Sequence, residues 1–346
     1  MPLPLIIIAG SAIAGAGGLA SAGVGARKMI RANKEMKRIE ARHEANQRRF
    51  NDLNQSTTSA MEDLGNLELE VCESFDRFAE LIERIQNRPE FDEIKVGSFD
   101  VPRYDAQELR DVSIAAGMVV GAVGGAGMGA GGGIAAAMAA KGVIGAVCLA
   151  STGTPIATLH GIAATNAIMA VLGGGTLAAG GGGIALGATV LSAATAGVGI
   201  LIGGIVFNLA SRSLSSEVDE AREQMKEAER EIGRICKYLS RLKTVAYTYR
   251  KSLSTVYGIY KEHLERFERI VFDEARCDWC QFTDEEKLSL ENLVLLVSIL
   301  YGMCKTNLVV EGDRDGINEV NYDEAMSQVK TAEEFLRERG LSDDMG

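Results

Sequence analysis

Residues 117–137 read GMVVGAVGGAGMGAGGGIAAA, with a glycine or alanine at every fourth position from Gly117 to Ala137. Positions four apart lie on one face of an α-helix, so the glycines form a stripe along which a second helix can approach closely. In water, each glycine in a helix interior costs about 0.5–1 kcal/mol relative to alanine. A helix here therefore requires close packing or a lipid environment. The stripe consists of Gly117, Gly121, Gly125, Gly129 and Gly133.

The stripe belongs to residues 112–211, a long and almost uncharged segment that we call the uncharged stretch. Lys141 is its only charged residue, and 25 of the chain's 40 glycines lie within it. A helix of a soluble protein normally keeps one polar face, whereas a helix that is apolar all round is buried in protein or lies in lipid. We therefore predict that residues 112–211 form a glycine-rich hydrophobic head that inserts into a membrane.

A second apolar segment, residues 3–26, lies in a predicted N-terminal region 1–26 and is long enough to span a bilayer. Gly10 and Gly18 belong to a small-residue stripe of the same kind. No basic residue precedes this segment, but residues 27–49 contain nine basic and three acidic residues. This asymmetry favours a retained anchor over a cleaved secretory signal, with cytoplasmic arms. The protein is thus expected to be associated with a membrane. A soluble form that exists before insertion is also possible.

Two long helical arms flank the head, at residues 27–111 and 212–276. The second arm alternates apolar residues at spacings of three and four over more than seven heptads, which is typical of a coiled coil or bundle helix. The first arm has a similar rhythm to about residue 87, where a segment with Pro89, Gly97 and Pro102 begins. Each helix would be about 90 Å long. Because residues 87–110 are too few to return along such a rod, we predict antiparallel arms with the head at one tip.

The remaining residues, 277–346, are predicted to form a small, mainly helical C-terminal module. Thr283 and Glu286 fit a capping box for a helix over 284–304. A short strand is expected at 307–310, and a helix from Tyr322 that Gly340 ends. The predicted fold class is therefore all-α: a long antiparallel coiled-coil or helical-bundle stalk, an inserted glycine-rich helical head and this module.

The sequence contains no pattern that indicates catalysis or a cofactor. The CxxC at Cys277 and Cys280 lacks two further ligands at a spacing that suits zinc. A GxGxxG inside the glycine run follows no strand, so it does not fit a dinucleotide site. The net charge of −11, without interleaved basic and aromatic residues, argues against nucleic acid. We predict no enzymatic activity, no cofactor and no metal site.

Residues 151–187, STGTPIATLHGIAATNAIMAVLGGGTLAAGGGGIALG, resemble a recurrent segment of a bacterial protein family. Its members carry this Gly/Ala block between long coiled-coil arms and mostly have no assigned function. More loosely, the plan is similar to α-helical pore-forming toxins, which insert an apolar head from a long helical bundle into membranes. This sequence departs from those toxins in its longer, more glycine-rich head and its apolar N-terminus. The resemblance implies membrane insertion by analogy of architecture.

Together these features predict a membrane-inserting helical protein that self-associates through its glycine stripes and permeabilises the membrane or forms a pore. Two alternatives stay open. One is a permanently anchored coiled-coil scaffold or signalling protein without pore activity. The other is a soluble helical homo-oligomer that buries the head. The expected partners are a lipid bilayer, further copies of the chain, and a protein that binds the C-terminal module.

Overall fold

A computed structural model of the chain describes residues 22–89, 106–125, 214–310 and 319–341. These residues are predominantly helical, as the all-α prediction requires. The α-helices within these described ranges are α1 (Ala22–Glu73), α2 (Phe75–Arg84), α3 (Ala106–Gly125), α4 (Leu214–Glu268), α5 (Asp284–Lys305) and α6 (Tyr322–Glu338). A π-helical turn, Arg269–Asp273, continues α4, and a 3-10 turn, Trp279–Gln281, precedes α5. Strands β1 (Val309–Val310) and β2 (Glu319–Val320) pair antiparallel.

Several local predictions are confirmed by this arrangement. The Thr283 hydroxyl accepts from the Glu286 backbone N–H, and the Glu286 carboxylate accepts from the Thr283 backbone N–H, so the predicted capping box begins α5. Gly340 follows α6 with a φ of +66°, a left-handed conformation that glycine adopts without steric cost. The first arm differs slightly from its prediction, because a single turn residue, Ser74, separates α1 from α2.

The described residues form two compact units, and the first contains residues 22–54 of α1 and 214–237 of α4. Arg42 Nη2 lies 2.6 Å from Glu229 Oε2, and the two residues are 187 apart in sequence. Arg222 Nη2 lies 3.8 Å from Glu35 Oε2, again 187 residues apart. Contacts that keep a constant sequence separation show that the two helices run parallel. The prediction of antiparallel arms is wrong for this unit.

The second unit contains residues 55–89, 106–125, 238–310 and 319–341, and its arms are parallel too. The Thr57 hydroxyl donates to the Leu239 carbonyl at 3.2 Å, and the Tyr257 hydroxyl to the Glu70 carbonyl at 3.4 Å. The two residues of each pair are 182 and 187 positions apart in sequence. A later residue of α1 thus contacts a later residue of α4, so the two helices run parallel. The antiparallel prediction fails here as well.

Helices α3 and α5 run in the opposite direction to these two arms. For α5, Tyr249 of α4 contacts Met303, whereas the later His263 contacts the earlier Ser289. Arg110 of α3 reaches Glu83 at 2.7 Å, and Ser113, further along α3, donates to the earlier Glu73 carbonyl at 2.7 Å. The antiparallel prediction assumed that only residues 87–110 could carry the chain back along the first arm. In the structure α3, which contains the first residues of the predicted head, itself runs back along α2 and the end of α1.

Helix α5 is part of the same hydrophobic core as the arms. Its side chains pack with those of α1, α2, α3, α4 and α6 in one cluster of buried residues. The largest fully buried side chains in the described residues include Tyr249, Tyr260, Tyr301, Phe75 and Phe78. The predicted boundary at residue 277 therefore does not separate the C-terminal helices from the arms. The reason is that α5 is apolar on nearly all sides and is covered only when several helices surround it.

Candidate functional site

The predicted glycine stripe is placed by the structure only in part. Gly117, Gly121 and Gly125 belong to α3, whereas Gly129, Gly133, Gly10 and Gly18 lie outside the described residues. Gly117 is half-buried, and a Cβ built on it would lie 3.4 Å from the Glu73 carboxylate. In this form, therefore, the start of the stripe lies against the first arm.

Helix α3 is held in this position by both polar and apolar contacts. Leu109, Val112 and Ala116 share its buried face, and the Arg110 guanidinium lies between the carboxylates of Glu83 and Asp76, at 2.7 and 3.8 Å. In contrast, Ile114 and Val120 are 48% and 41% exposed. The first helix of the head thus has one face packed on the bundle and apolar side chains in solvent on another.

Because the arms are parallel, the two apolar sequences of the chain connect to the same end of the first unit. Residues 3–26 precede and overlap the start of α1, and the end of the uncharged stretch 112–211 comes directly before α4. Because Glu35 pairs with Arg222 and Arg42 with Glu229, the N-terminal ends of α1 and α4 lie at the same end of the pair. Both apolar sequences are therefore attached to the first unit at one end, which antiparallel arms would have kept apart.

Helix α5 is long and apolar enough to cross a membrane, the one such helix among the residues that the structure describes. Its most apolar window has a mean hydropathy of 1.4, but 83% of that window is buried inside the protein. Such burial is typical of a core helix. The Tyr249 hydroxyl of α4 donates to the Met303 carbonyl at 2.9 Å, and His263 Nδ1 lies 2.8 Å from the Ser289 hydroxyl. We therefore regard α5 as a core helix of the bundle.

Charged groups fix the start of α5. Two nitrogens of the Arg276 guanidinium lie 2.6 and 3.0 Å from the two carboxylate oxygens of Glu286. These hydrogen bonds are the main reason that the pKa of Glu286 is lowered to about 2. Burial lowers the pKa of His263 of α4, whose side chain contacts Ser289 of α5. Glu286 thus stabilises the folded bundle at neutral pH, where it is charged. His263 is neutral in the folded and the unfolded chain at that pH, and it destabilises the bundle only when the pH falls.

One carboxyl group, that of Glu68, is buried in the core. Its side chain is fully buried, and neither oxygen has a hydrogen-bond partner among the described residues. Cys72, one turn later on α1, and Cys304 of α5 are its neighbours, and the Cys304 thiol lies 3.9 Å from the Glu68 carbonyl. Burial, followed by the nearby Cys304, raises the pKa of Glu68 well above its usual value. Sequence reasoning missed this residue, although its spacing from Leu64 and Cys72 places it on the apolar face of α1.

The described residues show no arrangement that suits a metal ion. No group of three or more histidine, cysteine, aspartate or glutamate side chains in that part of the chain is placed to bind one. Cys277 donates to the Val271 carbonyl at 3.5 Å and is half-buried, while Cys280 is exposed; both are free thiols. Comparison of the chain with protein-family models, curated proteins and solved structures gives no match.

Proposed function

We propose that the protein is a membrane-inserting helical protein whose apolar segments enter one bilayer from the same end of a parallel helix pair. In the inserted form, α3 leaves the bundle together with the rest of the head, whereas the arms and the remaining helices stay in the aqueous phase. Glycine stripes then bring copies of the chain together in the membrane. Self-association then permeabilises the bilayer or forms a pore.

The observation that carries this proposal is the parallel pairing of α1 with α4. Residues 3–26 and the end of the uncharged stretch both join the pair where Glu35 meets Arg222. Two apolar segments that emerge side by side can share one bilayer without any fold-back of the first arm. The nine basic residues in 27–49 follow directly and suit the cytoplasmic side of a membrane.

A flotation assay with dye-loaded liposomes, followed by an alkaline carbonate wash, tests this proposal. We expect the full-length protein to float after the wash and to release dye. Flotation without release would instead support an anchored scaffold without pore activity. Protein that stays at the bottom of the gradient, with intact liposomes, would contradict membrane insertion and leave the soluble homo-oligomer.

The role of the stripe has its own test. Gly125→Leu with Gly129→Leu fills two stripe positions, and we expect it to reduce oligomer formation in the membrane, measured by crosslinking. The matched control is Ala126→Leu with Ala130→Leu. These positions each lie one residue further along, about 100° around a helix, so they add the same apolar bulk on another face. Equal crosslinking in both variants and the wild type would show that the stripe is not the interface.

A further inference from the structure

The first turns of α1 that have described side chains carry a cluster of exposed cations. Arg31, Lys34 and Lys37 are all exposed. They are three residues apart, so they span about 9 Å along the helix axis and an arc of about 120° around it. The neighbouring Ile39 is buried and faces the other arm, while the three cations lie in solvent. We call Arg31, Lys34 and Lys37 the basic patch.

The basic patch differs from three of the four arginines that follow it along α1 in the first unit. Arg38 pairs with Glu35 at 2.6 Å, Arg42 with Glu229 at 2.6 Å, and Arg48 with Glu44 at 3.5 Å. Within the described side chains, no recorded ion pair joins a patch residue to a carboxylate. Among the described α1 side chains of this unit, the cations without an ion pair are the three of the patch and Arg49, so most of them lie at the end of the helix that the apolar segment precedes.

Two described carboxylates of the first unit near the patch, Glu35 and Glu223, are already engaged by other cations. Glu35 contacts both Arg38 and Arg222, and Glu223 of α4 pairs with Lys226 at 2.7 Å. Their charge is therefore largely compensated within the unit. The three patch cations remain available to an anionic partner, even though the chain as a whole is acidic, with a net charge of −11.

We propose that the basic patch binds the anionic headgroups of the membrane leaflet from which the arms project. This inference rests on the proposed function, because the apolar segment brings the patch to the surface. Arg31 is five residues beyond the apolar segment, which corresponds to about 8 Å of helix. This distance is close to the Debye length of about 8 Å at physiological salt, so the surface potential acts on Arg31. Lys34 and Lys37 lie about 12 and 17 Å beyond the segment, within about two Debye lengths, where the potential is weaker but still present. Arg31 can bind a phosphate through two nitrogens, and the lysines act as point charges.

Binding of the full-length protein to two kinds of vesicle tests the proposal. One kind contains only phosphatidylcholine, and the other replaces about a third of it by phosphatidylglycerol. The patch variant is Arg31→Gln, Lys34→Gln and Lys37→Gln. The distal control is Arg48→Gln, Arg49→Gln and Lys237→Gln, which removes the same charge from exposed positions about 20 Å further along the arms.

We expect the wild type to bind anionic vesicles about tenfold or more tightly than neutral ones, and the patch variant to lose most of this preference. The distal control should keep it, because its cations lie about 20 Å further along the arms, at about four Debye lengths from the apolar segment. A further variant that exchanges arginine and lysine at the patch, Arg31→Lys, Lys34→Arg and Lys37→Arg, should also keep it. Preserved binding by this variant shows that substitution at the patch does not itself unfold the arm.

Three outcomes would overturn the proposal. Equal wild-type binding to both vesicles would exclude headgroup recognition while leaving membrane insertion intact. An equal loss in the patch variant and the distal control would show that only net charge matters. Absence of wild-type binding to either vesicle would remove the proposed function itself and, with it, the role of the patch.

Discussion

Replacement of the buried Glu68 by glutamine is expected to stabilise the bundle increasingly as the pH rises. Glu68 is fully buried and has no hydrogen-bond partner among the described residues, so the folded state disfavours its ionised form. Burial raises its pKa well above the ordinary value of 4.5. Glutamine has nearly the same shape and carries no charge at any pH.

The sign of the effect follows from proton binding in the two states. Below pH 4.5 the carboxyl is protonated in the folded and the unfolded chain, so its titration has little effect on stability. Above that pH the unfolded chain releases the proton while the folded chain retains it. The free energy of unfolding then falls by up to about 1.4 kcal/mol per pH unit until the folded pKa is reached. The Glu68→Gln variant lacks this loss.

Urea unfolding at intervals of half a pH unit between pH 4 and 8 measures the difference between the two proteins. Both proteins are measured in the same detergent and salt and have the same head. The contributions of these factors to the free energy of unfolding therefore cancel in the difference. Glu70→Gln is the matched control, since Glu70 is two residues away but exposed, and its ion pair with Lys261 is 3.7 Å long. We expect the control to differ from the wild type by less than about 1 kcal/mol at every pH. A gap between Glu68→Gln and the wild type that does not widen with pH would refute the reasoning.

Three further substitutions test contacts of the bundle and of α3. Tyr249→Phe removes the hydrogen bond to the Met303 carbonyl and should lower the free energy of unfolding by about 1 kcal/mol, measured in urea. Gly117→Ala should raise it by about 0.5–1 kcal/mol in the same assay, because the new methyl group makes an ordinary contact at 3.4 Å. Glu286→Gln removes the ion pair with Arg276 and should lower the melting temperature at pH 7. The pKa of Glu286 is about 2, so the wild type should lose this contribution as the pH falls from 4.5 towards 2, and the variant should not.

Each of these substitutions has a control or an opposing outcome. Tyr247→Phe alters a tyrosine that is 67% exposed and should leave stability unchanged. A destabilised Gly117→Ala would mean that α3 cannot accommodate even one methyl group against the first arm. If the difference between Glu286→Gln and the wild type stays constant from pH 7 to pH 2, the ion pair does not contribute to acid stability.

The sequence predicted individual helices well because their signals are local. The heptad rhythm of the second arm corresponds to α4, and the Thr283–Glu286 capping box begins α5 where expected. The relative direction of the two arms was not predictable in the same way. A heptad pattern identifies the buried face of a helix, but it does not show whether the partner helix runs parallel or antiparallel to it. The antiparallel prediction was wrong because it assumed that residues 87–110 alone would have to run back along the first arm.

The properties of Glu68 and the basic patch could be inferred only with the fold in hand. Glu68 follows Leu64 and precedes Cys72 at spacings of four, which places it on the buried face of α1. A glutamate at one heptad position is nevertheless common at the edge of a helix interface, where it stays in solvent. It is α5, with Cys304, that closes over this position. The patch likewise needs the parallel pairing, which shows which charges of the first unit are already neutralised.

The parallel direction of the arms also changes how the two apolar segments could reach one bilayer. With antiparallel arms, residues 3–26 and the uncharged stretch would meet one bilayer only if the first arm folded back on itself. The parallel pair removes that requirement, because α1 and α4 both begin at the same end. Under the proposed membrane insertion, entry of either segment would bring the attachment point of the other to the membrane surface and raise its local concentration there. We therefore expect deletion of residues 3–21 to weaken, but not abolish, vesicle binding. Binding unchanged by that deletion would show that the head inserts independently of the N-terminal segment.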